Sequence, residues 1–104
     1  MKIYNKLVRD RIPEIIEKSD RKFSTRIAES DEYEKLLLKK LFEEAGEFSS
    51  SRDIMELADI LEVIEAIAIQ KNTDLAEILK LKQEKQLERG GFLKRIVLID
   101  AEEI

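Results

Sequence analysis

The sequence predicts an all-α fold, a helical bundle of about four helices that forms a single domain over residues 1–104. Three observations predict it. Only three glycines and one proline interrupt the 104 residues, so few positions break regular structure. Charged and hydrophobic residues make up 40% and 43% of the chain, and apolar residues recur at helical spacing through its middle. A chain of this size buries a modest core and is small enough for oligomerisation to matter.

The first two helices have recognisable start signals. The first is expected to carry Pro13 in its opening turn, which proline suits, and to end near Ser19. Asp31 followed three residues later by Glu34 predicts a capping box, in which each side chain bonds a backbone N–H of the helix end. The second helix is then expected to run to about Phe48.

The later helices follow from turn and cap signals. A serine-rich turn is predicted at residues 49–52, followed by a third helix over about residues 53–71. Asp74 with Glu77 marks the start of a fourth helix. Two consecutive glycines predict that this helix ends near Arg89.

Two short segments carry strand-like patterns outside these helices. Residues 22–27 alternate roughly between polar and apolar side chains, and residues 95–99 are rich in β-branched side chains. Pairing of the two segments predicts a small two-stranded β extension beside the bundle.

Composition and charge exclude several classes of function. The absence of cysteine removes disulfides and thiolate nucleophiles, and the absence of histidine removes the commonest general base near neutral pH. Residues 43–65 hold eight acids against one base, a local charge of −7 that repels phosphate backbones, so no nucleic-acid polymer is expected as a partner. No signal-peptide pattern and no run near the ~20 apolar residues of a membrane span occur, so we expect no membrane partner and a cytoplasmic location.

Acids interrupt the apolar faces of the two central helices. On a helical wheel Glu44 falls inside the apolar stripe of the second helix, and Glu47 lies at its edge. The third helix is apolar almost all round, which is typical of a buried helix. Acids nevertheless recur on it at every third position: Glu56, Asp59, Glu62 and Glu65.

An antiparallel arrangement of these helices places Glu47 level with Glu56, and Glu44 level with Asp59. Buried carboxylates are costly unless they take up protons, pair with a base or bind a cation. No base is expected at a matching height, and oxygen-only ligands suit Mg²⁺ or Mn²⁺. The alternative is an ordinary solvated acidic face, which stays open above all for Glu62 and Glu65. Glu43 lies off the stripe and is expected to face solvent or to support the ligands.

The motif of these acids resembles a known signature. Glu43-Glu44-Ala45-Gly46-Glu47 followed by Glu56-Leu57-Ala58-Asp59 is similar to the E-E-x-x-E … E-x-x-D signature of the all-α nucleoside triphosphate pyrophosphohydrolases, the superfamily that includes MazG. Residues 4–13 and 89–98 are similar to segments of a small MazG-like subgroup, often labelled phosphoribosyl-ATP pyrophosphohydrolase-like. The resemblance therefore covers nearly the whole chain.

The resemblance implies a magnesium-dependent enzyme, a nucleotide pyrophosphohydrolase. It would cleave a nucleoside triphosphate, or a related phosphorylated nucleotide, between the α- and β-phosphates to give a monophosphate and pyrophosphate. It implies a homodimer or homotetramer in which helices of several copies complete the bundle. It implies as Mg²⁺ ligands Glu44, Glu47, Glu56 and Asp59. One departure is the short connection of eight residues between Glu47 and Glu56, which puts substrate contacts from that connection in doubt.

Catalytic and substrate-binding residues can also be named from the sequence. Without histidine the general base is expected to be a carboxylate, and the candidates are Glu43, Glu44 and Glu47. Phosphate partners are expected from bases outside the acidic block, with Asn5, Lys6 and Arg9 near the N-terminus and Lys82, Lys85 and Arg89 on the fourth helix. The alternative for both sets is an ordinary network of surface charges. The alternative function is a catalytically silent helical oligomer that binds nucleotides or a protein partner.

Overall fold

The computed structural model describes residues 1–103 and is all-α, as predicted. Its four helices, in chain order, are α1 (Ile12–Lys18), α2 (Ser30–Ser51), α3 (Met55–Gln70) and α4 (Leu75–Arg89). Ile104, the last residue of the predicted domain, lies outside the described residues. None of the four helices within residues 1–103 combines the length and the apolar character that crossing a membrane requires.

The helix starts confirm two of the three predicted signals. Pro13 lies in the first turn of α1. At α4 the Asp74 carboxylate accepts a hydrogen bond of 2.8 Å from the backbone N–H of Glu77. The capping box predicted at Asp31 is wrong, because the N-cap of α2 is Glu29, two residues earlier, and it makes no side-chain bond. Glu34 is instead drawn to the end of α3, where Lys71 Nζ lies 2.7 Å from its Oε1.

The predicted turn at residues 49–52 lies further along the chain, because α2 continues through all three serines. The chain reverses at residues 52–54. Arg52 takes the left-handed conformation at φ 59°, and its backbone N–H donates to the Phe48 carbonyl at 2.8 Å. Its side-chain Nε donates to the Ser49 carbonyl at 2.9 Å. Carbonyls at the end of α2 are thus satisfied by the residue that turns the chain.

Helices α2 and α3 form an antiparallel hairpin that contains the core. The ion pair between Glu34 and Lys71 lies at its open end, and the connection closes the other. The buried apolar side chains are Leu37, Val63 and Ala68. Among the described helices, α4 packs only against α3 and α1 packs against none. The hairpin is therefore the part of the described chain whose packed core can support a site.

The chain does not close into a compact bundle by itself. Its radius of gyration is 18.4 Å, whereas a compact domain of this length has about 13 Å. Its accessible surface is 9992 Å², whereas a folded monomer of this mass exposes roughly 6,100 Å². Large apolar side chains remain open to solvent as a result, among them Phe42 and Leu87 at 78% and 79% exposed.

The predicted β extension is wrong, since no strand occurs within residues 1–103. Residues 22–27 and 95–99 are non-helical and exposed, with Ile27 and Ile99 more than nine-tenths open to solvent. β-Branched residues favour a strand when a second backbone pairs with them and a packed face covers them. The two segments do not pair, so the β-branched composition of residues 95–99 is insufficient to form a strand.

Candidate metal centre

Three acids converge where α2 passes α3. Single carboxylate oxygens of Glu44, Glu56 and Asp59 all lie within 4.8 Å of one another. Glu44 comes from α2, and the other two lie three residues apart on one face of α3. Only 8% of Glu44 is exposed, which makes it the one buried charged residue of the described chain. We call these three side chains the acidic group. The predicted approach of Glu44 to Asp59 is thus present.

Glu47 adjoins the acidic group without belonging to it. It lies one turn further along α2 and is exposed. Its negative charge nevertheless contributes to raising the pKa of both Glu44 and Glu56. Its predicted role as a fourth ligand therefore stays a prediction. Of the other acids on α3, Glu62 is exposed and Glu65 is half-buried, and both lie outside the acidic group.

The electrostatics of the acidic group oppose full ionisation. Burial is the main cause that raises the pKa of Glu44, followed by the charge of Glu47, and the charge of Asp59 adds to it. Burial also raises the pKa of Glu56, and the charges of Glu47, Asp59 and Glu44 add to it. Crowded carboxylates keep protons more readily than isolated ones. A cation placed among them relieves the same repulsion.

Two bases contact the acidic group, one from a helical turn away on α2 and one from outside the two helices. Lys40 Nζ lies 3.7 Å from Glu44 Oε1, one helical turn away on α2. Arg9 Nη2 lies 2.7 Å from Asp59 Oδ1. In the part of the chain that the structure describes, Glu56 pairs with no base. Three carboxylates against two single charges leave a negative site of oxygen ligands only, a donor set that fits Mg²⁺ or Mn²⁺.

An open groove of about 510 Å³ borders the acidic group. Its lining includes Lys6 and Glu43, whose Nζ and Oε2 are 3.5 Å apart. Ser50 and Ser51 contribute hydroxyl groups at the end of α2, and Glu56 links the groove to the acidic group. The predicted site residues Lys6, Glu43 and Glu47 therefore share one surface, which also contains Glu56.

The remaining predicted phosphate partners lie elsewhere. Asn5 lines a smaller pocket against α2, where the lining residues are Leu36, Lys39, Lys40 and Glu43. The three bases of α4 are exposed, and no ion pair within residues 1–103 joins them to the acidic group. The reason is that α4 packs against α3 alone and α2 lies beyond its reach. Phosphate binding stays a prediction for Lys82, Lys85 and Arg89.

Sequence reasoning missed three features of the site. The pairing of Lys40 with Glu44 was detectable from their spacing of four residues, which places side chains together on a helix. The contact of Arg9 with Asp59 spans fifty residues and has no local signal. The serines whose hydroxyl groups line the groove were predicted only as part of a turn and not as part of a site.

Comparisons of the chain with protein-family models, with curated proteins and with solved structures find no match. The family resemblance of the acidic motif therefore stays a prediction. A function for this chain has to be inferred from the geometry of the acidic group, its neighbouring bases and the groove.

Proposed function

We propose that this protein is a divalent-cation-dependent nucleotide pyrophosphohydrolase. It hydrolyses a nucleoside triphosphate, or a related phosphorylated nucleotide, between the α- and β-phosphates to give a monophosphate and pyrophosphate. The observation that carries the proposal is the approach of Glu44, Glu56 and Asp59 to within 4.8 Å of one another beside an open groove. The motif in which these acids occur is the one that resembles pyrophosphohydrolases of the MazG-like class.

The acidic group is the proposed cation site. Glu44, Glu56 and Asp59 would hold Mg²⁺ or Mn²⁺, with Glu47 beside them to accept hydrogen bonds from water. The bound cation would supply neutralisation of phosphate charge and polarisation of the phosphorus–oxygen bonds. Burial of Glu44 on a hairpin with a short connection keeps the carboxylates in place, as a preorganised site requires.

The groove is the proposed substrate site. A volume of about 510 Å³ lies within the range of roughly 300–1,000 Å³ that is usual for small-molecule sites. Lys6 contributes a positive charge for phosphate, and the hydroxyls of Ser50 and Ser51 add hydrogen bonds. A water molecule adds to phosphorus as the bridging phosphorus–oxygen bond breaks, and a carboxylate takes its proton. Glu43, Glu44 and Glu47 are the candidate bases.

A second copy of the chain is the proposed partner, as a homodimer or within a homotetramer. The chain exposes about 3,900 Å² more surface than a compact monomer of its mass. Stable interfaces bury about 1,200–2,000 Å² in total, and obligate ones more. Apolar side chains along the hairpin that are exposed include Phe42, Ile54, Met55, Leu57 and Leu61. Multi-angle light scattering tests this directly, and a monomer at micromolar concentration would contradict it.

The test of the enzymatic proposal is a panel of nucleoside triphosphates with Mg²⁺, in which pyrophosphate release is measured. We expect Asp59→Asn and Glu56→Gln to reduce turnover at least about a hundredfold, since each loses a charged ligand of the cation. Glu62→Gln is the matched control, because Glu62 is an exposed acid on the same helix outside the acidic group. Equal turnover in Asp59→Asn and Glu62→Gln would contradict the assignment.

One observation favours a second candidate function. The many exposed apolar side chains fit a catalytically silent helical oligomer that binds nucleotides or a protein partner. This candidate predicts no pyrophosphate release, and it predicts that Mg²⁺ leaves both the melting temperature and nucleotide affinity unchanged. A single titration with Mg²⁺ therefore distinguishes the two proposals.

A further inference from the structure

The N-terminal segment is tied to the candidate site by its charges. Arg9 donates from Nη2 to Asp59 Oδ1 at 2.7 Å, and Lys6 Nζ lies 3.5 Å from Glu43 Oε2. The two bases are three residues apart, and they contact α3 and α2 respectively. The segment over residues 1–11 therefore crosses the hairpin beside the groove. We call this segment the strap.

The strap has little else to hold it in place. It contains no helix, and within residues 1–11 Leu7 is half-buried while every other residue is exposed. The Arg9 and Asp59 side chains that bond each other are themselves 58% and 40% exposed. Exposed ion pairs contribute little to stability and weaken as salt is added. A competitor of higher charge can therefore displace the strap at little cost.

We propose that a divalent cation releases this strap: Arg9 and the cation compete for the Asp59 carboxylate, and the freed guanidinium then binds substrate phosphate. The competition follows from Coulomb repulsion, since a doubly charged ion in the acidic group would lie within a few ångströms of the Arg9 guanidinium. The proposal rests on the proposed cation site and on the phosphate-bearing substrate, and it does not depend on which bond is hydrolysed.

The second half of the proposal follows from the chemistry of arginine. A guanidinium presents a planar fork of donors that matches phosphate oxygens as well as carboxylate oxygens. Asp59 belongs to the acidic group, and Glu56 of that group also lines the groove. A short movement therefore takes Arg9 from one anion to the other. Lys6, which already lines the groove, keeps the strap close to the substrate meanwhile.

The first experiment measures Mg²⁺ affinity by calorimetry, with no nucleotide present, for the wild type, Arg9→Gln and Arg11→Gln. Arg11 is the matched control, because it belongs to the same strap but pairs with its neighbour Glu14 at 3.2 Å. We expect Arg9→Gln to bind Mg²⁺ about two- to fivefold more tightly than the wild type, the factor that loss of an exposed ion pair implies. Equal affinity in the two variants, or no Mg²⁺ binding by any of the three proteins, would overturn the proposal.

The second experiment measures affinity for inorganic tripolyphosphate at saturating Mg²⁺, a probe that avoids any choice of base. Here we expect the opposite direction, with Arg9→Gln about tenfold weaker than Arg11→Gln, since a charged hydrogen bond to phosphate is lost. A residue that only stabilised the fold would move both affinities the same way, and that result would overturn the transfer to phosphate. Tighter Mg²⁺ binding by Arg9→Gln without pyrophosphate release from any nucleotide would refute the enzyme and retain the strap. Normal turnover by the wild type, with unchanged Mg²⁺ affinity in Arg9→Gln, would refute the strap and retain the enzyme.

Discussion

The α2–α3 hairpin and the C-terminal part of the chain differ in packing, although both contain apolar residues. The C-terminal part consists of α4 and residues 90–103. All four buried residues of the described chain lie on the hairpin. In contrast α4 buries none, although Leu79, Leu81 and Leu87 lie on it at 49%, 50% and 79% exposed. Apolar content therefore decides burial only where a neighbouring element is within reach. The hairpin supplies that neighbour through a connection of three residues.

The largest expected effect tests whether the hairpin carries the stability. Leu37 is 3% exposed and Leu87 is 79% exposed. Leu37→Ala should lower the free energy of unfolding by about 2–5 kcal/mol, because it removes buried methyl groups and leaves a cavity. Leu87→Ala should change it by less than about 0.5 kcal/mol if solvent covers that side chain. Urea denaturation measures both. A large loss in Leu87→Ala would reveal that a second copy buries α4.

The next effect separates the acidic group from every other acidic surface of the molecule. A cation that binds the folded chain should raise the free energy of unfolding by about 2.7 kcal/mol at a concentration of a hundred times its Kd. Thermal melts with and without Mg²⁺ measure the gain. Asp59→Asn should abolish it and Glu62→Gln should retain it, since only the first removes a member of the acidic group. Loss of the gain in both variants would contradict the site.

A smaller effect concerns the helix starts in the two regions. Asp74 accepts a hydrogen bond from the Glu77 backbone at the start of α4, whereas the N-cap of α2 makes no such bond. Asp74→Ala should lower the free energy of unfolding by about 1 kcal/mol. Asp31→Ala, the matched change on α2, should cost less, because its carboxylate contributes only through the helix dipole. An equal cost in the two variants, measured by urea denaturation, would show that the local cap is not the cause.

The pH dependence is expected to have opposite signs at two positions of the hairpin. The pKa of Glu44 is raised above its ordinary 4.5, so the folded chain keeps this proton more readily and the free energy of unfolding falls as pH rises above 4.5. The hydrogen bond from Lys71 lowers the pKa of Glu34, so its contribution is present above 4.5 and is lost as pH falls below it.

Melts from pH 3 to pH 7 without divalent cations test this. Glu44→Gln should be more stable than the wild type near pH 7, and Glu34→Gln should be less stable there. Addition of Mg²⁺ should remove the advantage of Glu44→Gln, because the cation relieves the repulsion in the wild type. Identical pH profiles for the two variants would contradict the prediction that neighbouring groups shift the pKa values of Glu44 and Glu34 in opposite directions.

Much of the fold was accessible from the sequence because its signals are local. Proline in the first turn of α1, the Asp74 cap and the glycine at the end of α4 each act within a few residues. The capping box at Asp31 failed because α2 begins at Ser30, and Glu34 pairs instead with Lys71, a partner thirty-seven residues away. The β extension failed for a related reason: a strand depends on a second segment, and residues 95–99 reach none in this chain.

The candidate site likewise has parts that the sequence predicts and parts that it does not. The approach of Glu44 to Asp59 follows from helix periodicity and the antiparallel hairpin, so the sequence was sufficient to predict it. The exclusion of Glu47 from the acidic group depends on side-chain placement within one helical turn, which helical periodicity does not determine. The contact of Arg9 depends on the path of an irregular segment, and no periodic pattern encodes such a path.

The left-handed residue at the hairpin connection has a consequence for how the protein tolerates change. Because Arg52 ends α2 with φ 59° and only residues 52–54 separate the helices, the axial offset between the two rods is fixed by loop length. One inserted residue would shear α3 along α2 and rotate its face, so that carboxylates from opposite rods no longer met. A single residue inserted at this connection should therefore weaken cation binding while leaving helical content intact.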